Sequence, residues 1–367
     1  MVIQRDLAKA PPAAPAARPA LRRKRRRSSP DVFVVTINPP DVVVVVAVAG
    51  PDETLVFVSG TDALTLDPHF STDAPTHRVV RQIHEPLVAN EGGTLKGVLA
   101  TDWSIADDGL SWTFNLRPGV TFHDGTPFTS AAVKFSFERL KNPETGSPHT
   151  SSANAIASVE TPDDMTVVIK TAEPLAFLPT LLTSNAMTIL SPAAAAGDVK
   201  AYGNAPSGTG PFRYASWVPG EKLTLAANSG YWGGTPGIGA LEIRVAPEDS
   251  SRILMLLSGE AHVVANVPPA LVERIAAGPN TEILTEASNR SIFLGLNWDM
   301  PPFGDIRVRK AIAAAVDVDS LVTHVMNGMA VPSSSFDSPD LVGSVEYPPY
   351  EYDPETARAL LAEAGFP

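Results

Sequence analysis

The residues best suited to chemistry do not fall into a catalytic pattern. His84-Glu85 opens like the helical H-E-x-x-H zinc motif, but its fifth position is Val88, and Pro86 would break the helix. His123-Asp124-Gly125 offers a metal or catalytic pair. The same three residues also suit a strand-to-helix turn whose Asp holds backbone N–H groups, and that reading is preferred. Asp107-Asp108 and Asp163-Asp164 pair carboxylates, but both sit in turns and read as solvated. No G-x-x-x-x-G-K-[ST] loop occurs, no G-x-G-x-x-G follows a strand, and no G-x-S-x-G elbow is present. The seven histidines are scattered singly. There are no cysteines, which excludes disulfides, thiolate metal sites and cysteine nucleophiles. A site assembled from distant residues leaves no local trace. Still, the absence of every local signature favours binding over catalysis, with no metal and no cofactor expected.

The elements that would position a binding site alternate along the chain. Thr54–Ser59 (TLVFVS) is a β-branched strand ending at Gly60. Trp112–Leu116, Thr166–Lys170, Leu223–Ala227, Leu241–Val245, Glu282–Thr285 and Ile292–Leu296 read as further strands. Thr129 is placed to cap a helix carrying Val133, Phe137 and Leu140 on one face. Asp305 opens a second helix, Ile306–Val316. Asp319 opens a third, which Gly328 ends. Asp353-Pro354-Glu355 opens a fourth, closed by Gly365. This order predicts an α/β protein with several sheets, not a regular βαβ repeat.

The 367 residues leave room for two or three domains of about 100–200 residues each. Hydrophobic residues make up 44%, enough for a sizeable core, so disorder is excluded as the main state. Thirty-five prolines argue for interrupted elements and against a coiled coil or helical bundle. No apolar run reaches the roughly 20 residues of a membrane-spanning helix. The net charge of −12 is uneven. Residues 1–31 hold nine basic and two acidic side chains, leaving 19 basic and 38 acidic groups in the rest. So acidic a body repels phosphate backbones, and nucleic acid is not an expected partner. The basic run Arg22–Arg27, the valine-rich segments after it and Ala47-Val48-Ala49 follow the order of an export signal. Asn38-Pro39-Pro40-Asp41 interrupts the apolar part, and a short edge strand is the structural alternative for Val42–Val46. Residues 1–51 are read as a leader, disordered or signal-like.

Residues 99–140, LATDWSIADDGLSWTFNLRPGVTFHDGTPFTSAAVKFSFERL, resemble the signature of family 5 extracytoplasmic solute-binding proteins, receptors of ABC importers. Other blocks follow in the family's order. They are Leu66-Asp67-Pro68, Glu85-Pro86-Leu87, Gly208-Thr209-Gly210-Pro211-Phe212, Tyr231-Trp232, Pro302-Phe303 with Asp305, and Tyr352-Asp353-Pro354. One departure is Ala132, where the family commonly has Asp. The resemblance covers about residues 53–367. Its aromatics Trp103, Trp112, Phe114 and Phe122 are read as core, so the signature marks fold, not ligand.

The resemblance implies a two-lobed periplasmic-binding-protein fold of the Venus-flytrap type. Residues 52–290 would form the first lobe, with an inserted subdomain at about 88–200. Residues 291–367 would begin a second lobe left incomplete, so the chain is expected to be truncated. It further implies a monomeric, exported receptor, and the absence of cysteine excludes a cysteine-linked lipid anchor. Its partners would be a small solute, a short peptide first, and a membrane permease, and it would have no enzymatic activity. Three loops are expected to face the cleft: Ser59–Leu64 with Thr61 and Asp62, Ser207–Gly210, and Asn297-Trp298-Asp299. Each has a plainer role open to it. Asp62 pairs a cationic ligand end or caps a turn, Ser207–Gly210 is a tight turn, and Trp298 stacks on ligand or packs at the hinge. Two other function classes stay open: a hydrolase whose site forms only in three dimensions, and a sensor or chaperone on the same fold.

Overall fold

A computed structural model describes residues 36–38, 41–46, 53–278, 281–286, 292–333, 345 and 350–366. These fall into two compact units. One draws on residues 36–293 and 317–349, the other on 294–316 and 350–367. The architecture is mixed α/β with several sheets, as the sequence predicts.

The larger unit is built on a seven-stranded sheet. Its order is Phe212–Val218, Lys222–Ala227, Ala240–Val245, Thr54–Ser59, Val263–Ala265, Asp41–Val46 and Thr281–Glu286. The three middle strands run parallel and the outer pairings are antiparallel. Parallel strands are covered on both faces, and the period of two along Thr54–Ser59 divides its side chains accordingly. Val56 and Val58 face a core with Ile253, Leu256, Val264 and Ile275. Phe57 packs on the opposite core of Leu66, Val79, Ile83, Leu223 and Leu225.

Between Thr54–Ser59 and its neighbour Ala240–Val245 lies a long insertion. A four-stranded antiparallel sheet, Ala100–Ile105, Ser111–Leu116, Thr166–Thr171 and Ile156–Asp163, carries the helix Ser130–Lys141. Trp112, Phe114 and Phe122 are buried here with Phe137 and Leu140, and Trp103 packs half-buried against them. The signature's aromatics are thus core.

Two strands, Thr36–Asn38 and Asp41–Val46, lie inside the segment read as a leader. Asp41–Val46 pairs on both sides, with Val263–Ala265 and Thr281–Glu286, so it is an internal strand and not an edge. Ala47-Val48-Ala49 and the basic run lie outside the described residues.

In the smaller unit the helix Ile306–Ala315 packs on Pro354–Glu363 through Ala311, Ala314 and Ala357. Asp305 and Asp353 cap these helices as their spacing predicts. Three local expectations are corrected. Thr129 occupies the N-cap position but makes no side-chain cap bond. The third helix starts at Asp317, whose carboxylate takes the Ser320 N–H, and not at Asp319. The strand expected at Ile292–Leu296 is only Ile292–Phe293. Among the described residues, no helix is long and apolar enough to cross a membrane.

Candidate binding site

The loops that the sequence singles out first leave the carboxyl end of the Thr54–Ser59 strand. Its ladder with Ala240–Val245 runs to the end, pairing Ser59 with Val245. Its ladder with Val263–Ala265 stops one residue earlier, at Val58 and Val264. Beyond that point the two parallel neighbours are no longer paired. In open α/β sheets, ligands sit outside the carboxyl ends of parallel strands where neighbouring connections diverge.

Two polar side chains stand there whose side-chain atoms hydrogen-bond to no described residue. Thr61 is exposed, and only its backbone is engaged, donating to Ser59 Oγ at 3.4 Å. Asn266 follows Val263–Ala265, is exposed between buried Ala265 and Val267, and has φ 58°. Left-handed backbone at a residue other than glycine is uncommon, and such residues concentrate at ligand sites. Neither the Thr61 hydroxyl nor the Asn266 amide hydrogen-bonds to any described residue. A hydroxyl and a primary amide can each donate and accept, which suits the amide, carboxylate and ammonium groups of a peptide-like solute.

Asp62 is differently employed. One carboxylate oxygen takes its neighbour's N–H at Ala63, 2.8 Å away. The other takes Trp217 Nε1 at 3.1 Å and the Gly220 N–H at 2.7 Å. It therefore ties the loop to the hairpin of Phe212–Val218 and Lys222–Ala227, an extension of its turn-capping role. Asn297 and Trp298 belong to the smaller unit, where both are exposed. Asn297 Oδ1 accepts from Asp299 N at 3.1 Å, and the Arg309 guanidinium lies 6.0 Å from the Trp298 ring centre.

The Ser207–Gly210 loop is no open wall: Ser207 and Thr209 are buried. A Cβ at Gly208 would sit 2.0 Å from Ile83 O, and one at Gly210 2.5 Å from Gln82 O. The loop packs against Ile83 and His84, with the Gly210 N–H donating to Ile83 O at 2.9 Å. The loop is clamped by the two motifs first examined for chemistry. Glu85 accepts from Thr209 Oγ1, Tyr231 OH and Trp232 Nε1 at 2.7–2.9 Å. Burial pushes its carboxyl up, against those three donors. His123 donates through Nε2 to Gly210 O at 2.9 Å and accepts the Gly208 N–H through Nδ1, so it is neutral; burial lowers its pKa. Asp124 takes Thr126 N, as its turn reading predicts, and also Ser191 Oγ and Ser207 Oγ. Burial alone would raise its carboxyl, but these donors outweigh it and hold it low. Both motifs thus spend their polar atoms on architecture. Among the described residues, no three His, Asp or Glu side chains cluster as metal ligands.

Sequence reasoning missed Asn266. Its signal was an asparagine at the end of the buried Val263-Val264-Ala265 run, just before Val267-Pro268-Pro269. Asparagine is the residue other than glycine that most readily takes positive φ.

A model of the family described as bacterial extracellular solute-binding proteins, family 5 Middle, matches residues 94–367. The chain is 31% identical over 315 residues to the glutathione-binding protein GsiB of Salmonella paratyphi A. That match covers 85% of this chain and 62% of the relative, so the chain spans a little under two thirds of such relatives' length. It is similar in structure to the periplasmic binding protein DppA of Helicobacter pylori in complex with the peptide STSA. There the TM-score is 0.77 at 30% identity, over 87% of this chain and 67% of the other. It is also similar to NikZ of Campylobacter jejuni in complex with Ni(L-His), with TM-score 0.74 at 26% identity, over 86% and 63% of the two chains. These neighbours have the α/β fold of the two-lobed periplasmic binding proteins, the fold that the resemblance implies.

Proposed function

The chain belongs to the bacterial extracellular solute-binding proteins of family 5, and from that premise we propose that it captures a small solute for an ABC importer. It acts outside the cytoplasmic membrane and hands its ligand to a membrane permease. It binds without turning the ligand over. The observation that carries the reading is the pair Thr61 and Asn266, without a side-chain hydrogen bond to any described residue, at the parted ends of two parallel strands. The solutes named for its relatives, the peptide STSA, glutathione and Ni(L-His), share amino-acid backbone chemistry. A short peptide is therefore the leading ligand class. Asp62 has both oxygens engaged within the protein, so it serves as the scaffold of this loop.

The test is a thermal melt of the full chain with STSA, glutathione, Ni(L-His) and mixed dipeptides in separate wells. A solute at 100 times its Kd stabilises the folded form by about 2.7 kcal/mol. A raised Tm with one of these supports the reading and names the class. A cooperative melt that none of them moves counts against it.

A further inference from the structure

Arg252 lies on the helix Asp249–Ser258, which joins the parallel strands Ala240–Val245 and Val263–Ala265 across Thr54–Ser59. It is 4% exposed, an unusual depth for a guanidinium. Nη1 donates to Ala246 O and Pro247 O, each at 2.8 Å, and Nη2 pairs with Asp249. The Ala246 N–H in turn donates to Ser59 O at 2.9 Å. The next residue, Gly60, lies directly against the same guanidinium, and a Cβ there would come within 3.0 Å of Nη1. One buried side chain thus touches both connections that leave the site, just before Thr61.

We infer that Arg252 is a positioning residue for the binding loop, setting where Gly60 and Thr61 stand by locking them to Ala246 and Pro247. The role rests on the proposed solute-binding reading for its purpose but not for its test. Gly60 is the other half of the device: its missing side chain is the space the guanidinium fills.

The test is backbone amide hydrogen exchange of the full, ligand-free chain. The R252Q variant keeps a polar side chain but cannot reach two carbonyls and Asp249 together. G60A keeps Arg252 but puts a Cβ 3.0 Å from Nη1, so the guanidinium must give by a few tenths of an ångström. Both should speed exchange at residues 59–62 and at Ala246 and Glu248 at least tenfold, while amides of Leu223 and Leu225 change less than threefold. R252K, which keeps the charge and one donor centre, should fall between. Unchanged exchange at residues 59–62, or a rise shared equally by Leu223 and Leu225, would overturn the assignment. If R252Q does not fold, G60A alone decides. A wild-type chain whose melt ignores STSA, glutathione and Ni(L-His) counts against the solute reading, while the exchange pattern still decides the role of Arg252.

Discussion

The Asp67 carboxylate and the Arg139 guanidinium meet at 2.6 Å in the protein interior, although 72 residues separate them in sequence. Arg139 also gives Nη1 to His69 Nδ1 at 2.9 Å, and Asp67 caps the turn at His69 N. The pair pins the loop after Thr54–Ser59 to the helix Ser130–Lys141 of the insertion. Burial raises the Asp67 carboxyl, and Arg139 opposes that by bonding the charged form. Removing one partner of such a pair strands the other charge and costs about 3–5 kcal/mol. R139M should therefore lower the urea midpoint sharply, while D67N/R139M should recover much of the loss. Equal midpoints for R139M and wild type would contradict the pairing.

Acid should loosen the protein as the pH falls below about 6.5. His84 is wholly buried and hydrogen-bonded through Nε2 to Tyr202 OH at 2.8 Å. Burial lowers its pKa from 6.5 to about 3. His69, also buried, is lowered in the same direction. Below about pH 6.5 the unfolded chain takes up protons that the folded chain refuses. Stability present above that value is thus lost as the pH falls towards 3, by up to about 4 kcal/mol for His84. Urea midpoints between pH 7 and 4 should fall steeply for wild type and less for H84Q. Parallel curves would show that His84 does not titrate as its burial requires.

Glycine substitutions should separate two kinds of constraint. Gly208 faces Ile83 O at a distance no Cβ can occupy, so G208A must move backbone. Gly92 has φ 58° but open space around it, so G92A meets only the left-handed penalty, about 1 kcal/mol. Thermal melts should show a large loss for G208A, several times that of G92A. Similar losses would mean that the Ser207–Gly210 loop is not seated on Ile83 and His84.

Much of this fold was legible because its strands are short β-branched runs with a period of two. Thr54–Ser59 is one, and its burial alternates accordingly. The caps Asp305 and Asp353 were legible for the same local reason: an Asp's own backbone neighbourhood decides whether it caps. What failed was decided at a distance. Asp62 looked free for a ligand because Trp217 and Gly220, its partners, lie more than 150 residues later. Asn266 escaped because residue type does not spell φ, and its neighbourhood with Thr61 exists only once Val58 pairs with Val264.

The most direct test of the central claim is calorimetric titration with whichever of STSA, glutathione and Ni(L-His) raises the melting temperature most. Wild type is compared with T61A, N266A and the double variant. Both side chains are exposed and neither hydrogen-bonds to a described residue, so T61A should leave the ligand-free melt unchanged, while N266A, which puts Ala at φ 58°, should lower stability by about 1 kcal/mol. Each loss of a ligand hydrogen bond should cost about 1 kcal/mol, roughly a fivefold rise in Kd, and the double variant correspondingly more. An unchanged Kd in the double variant, with the ligand still bound, would place the binding site elsewhere and contradict the account.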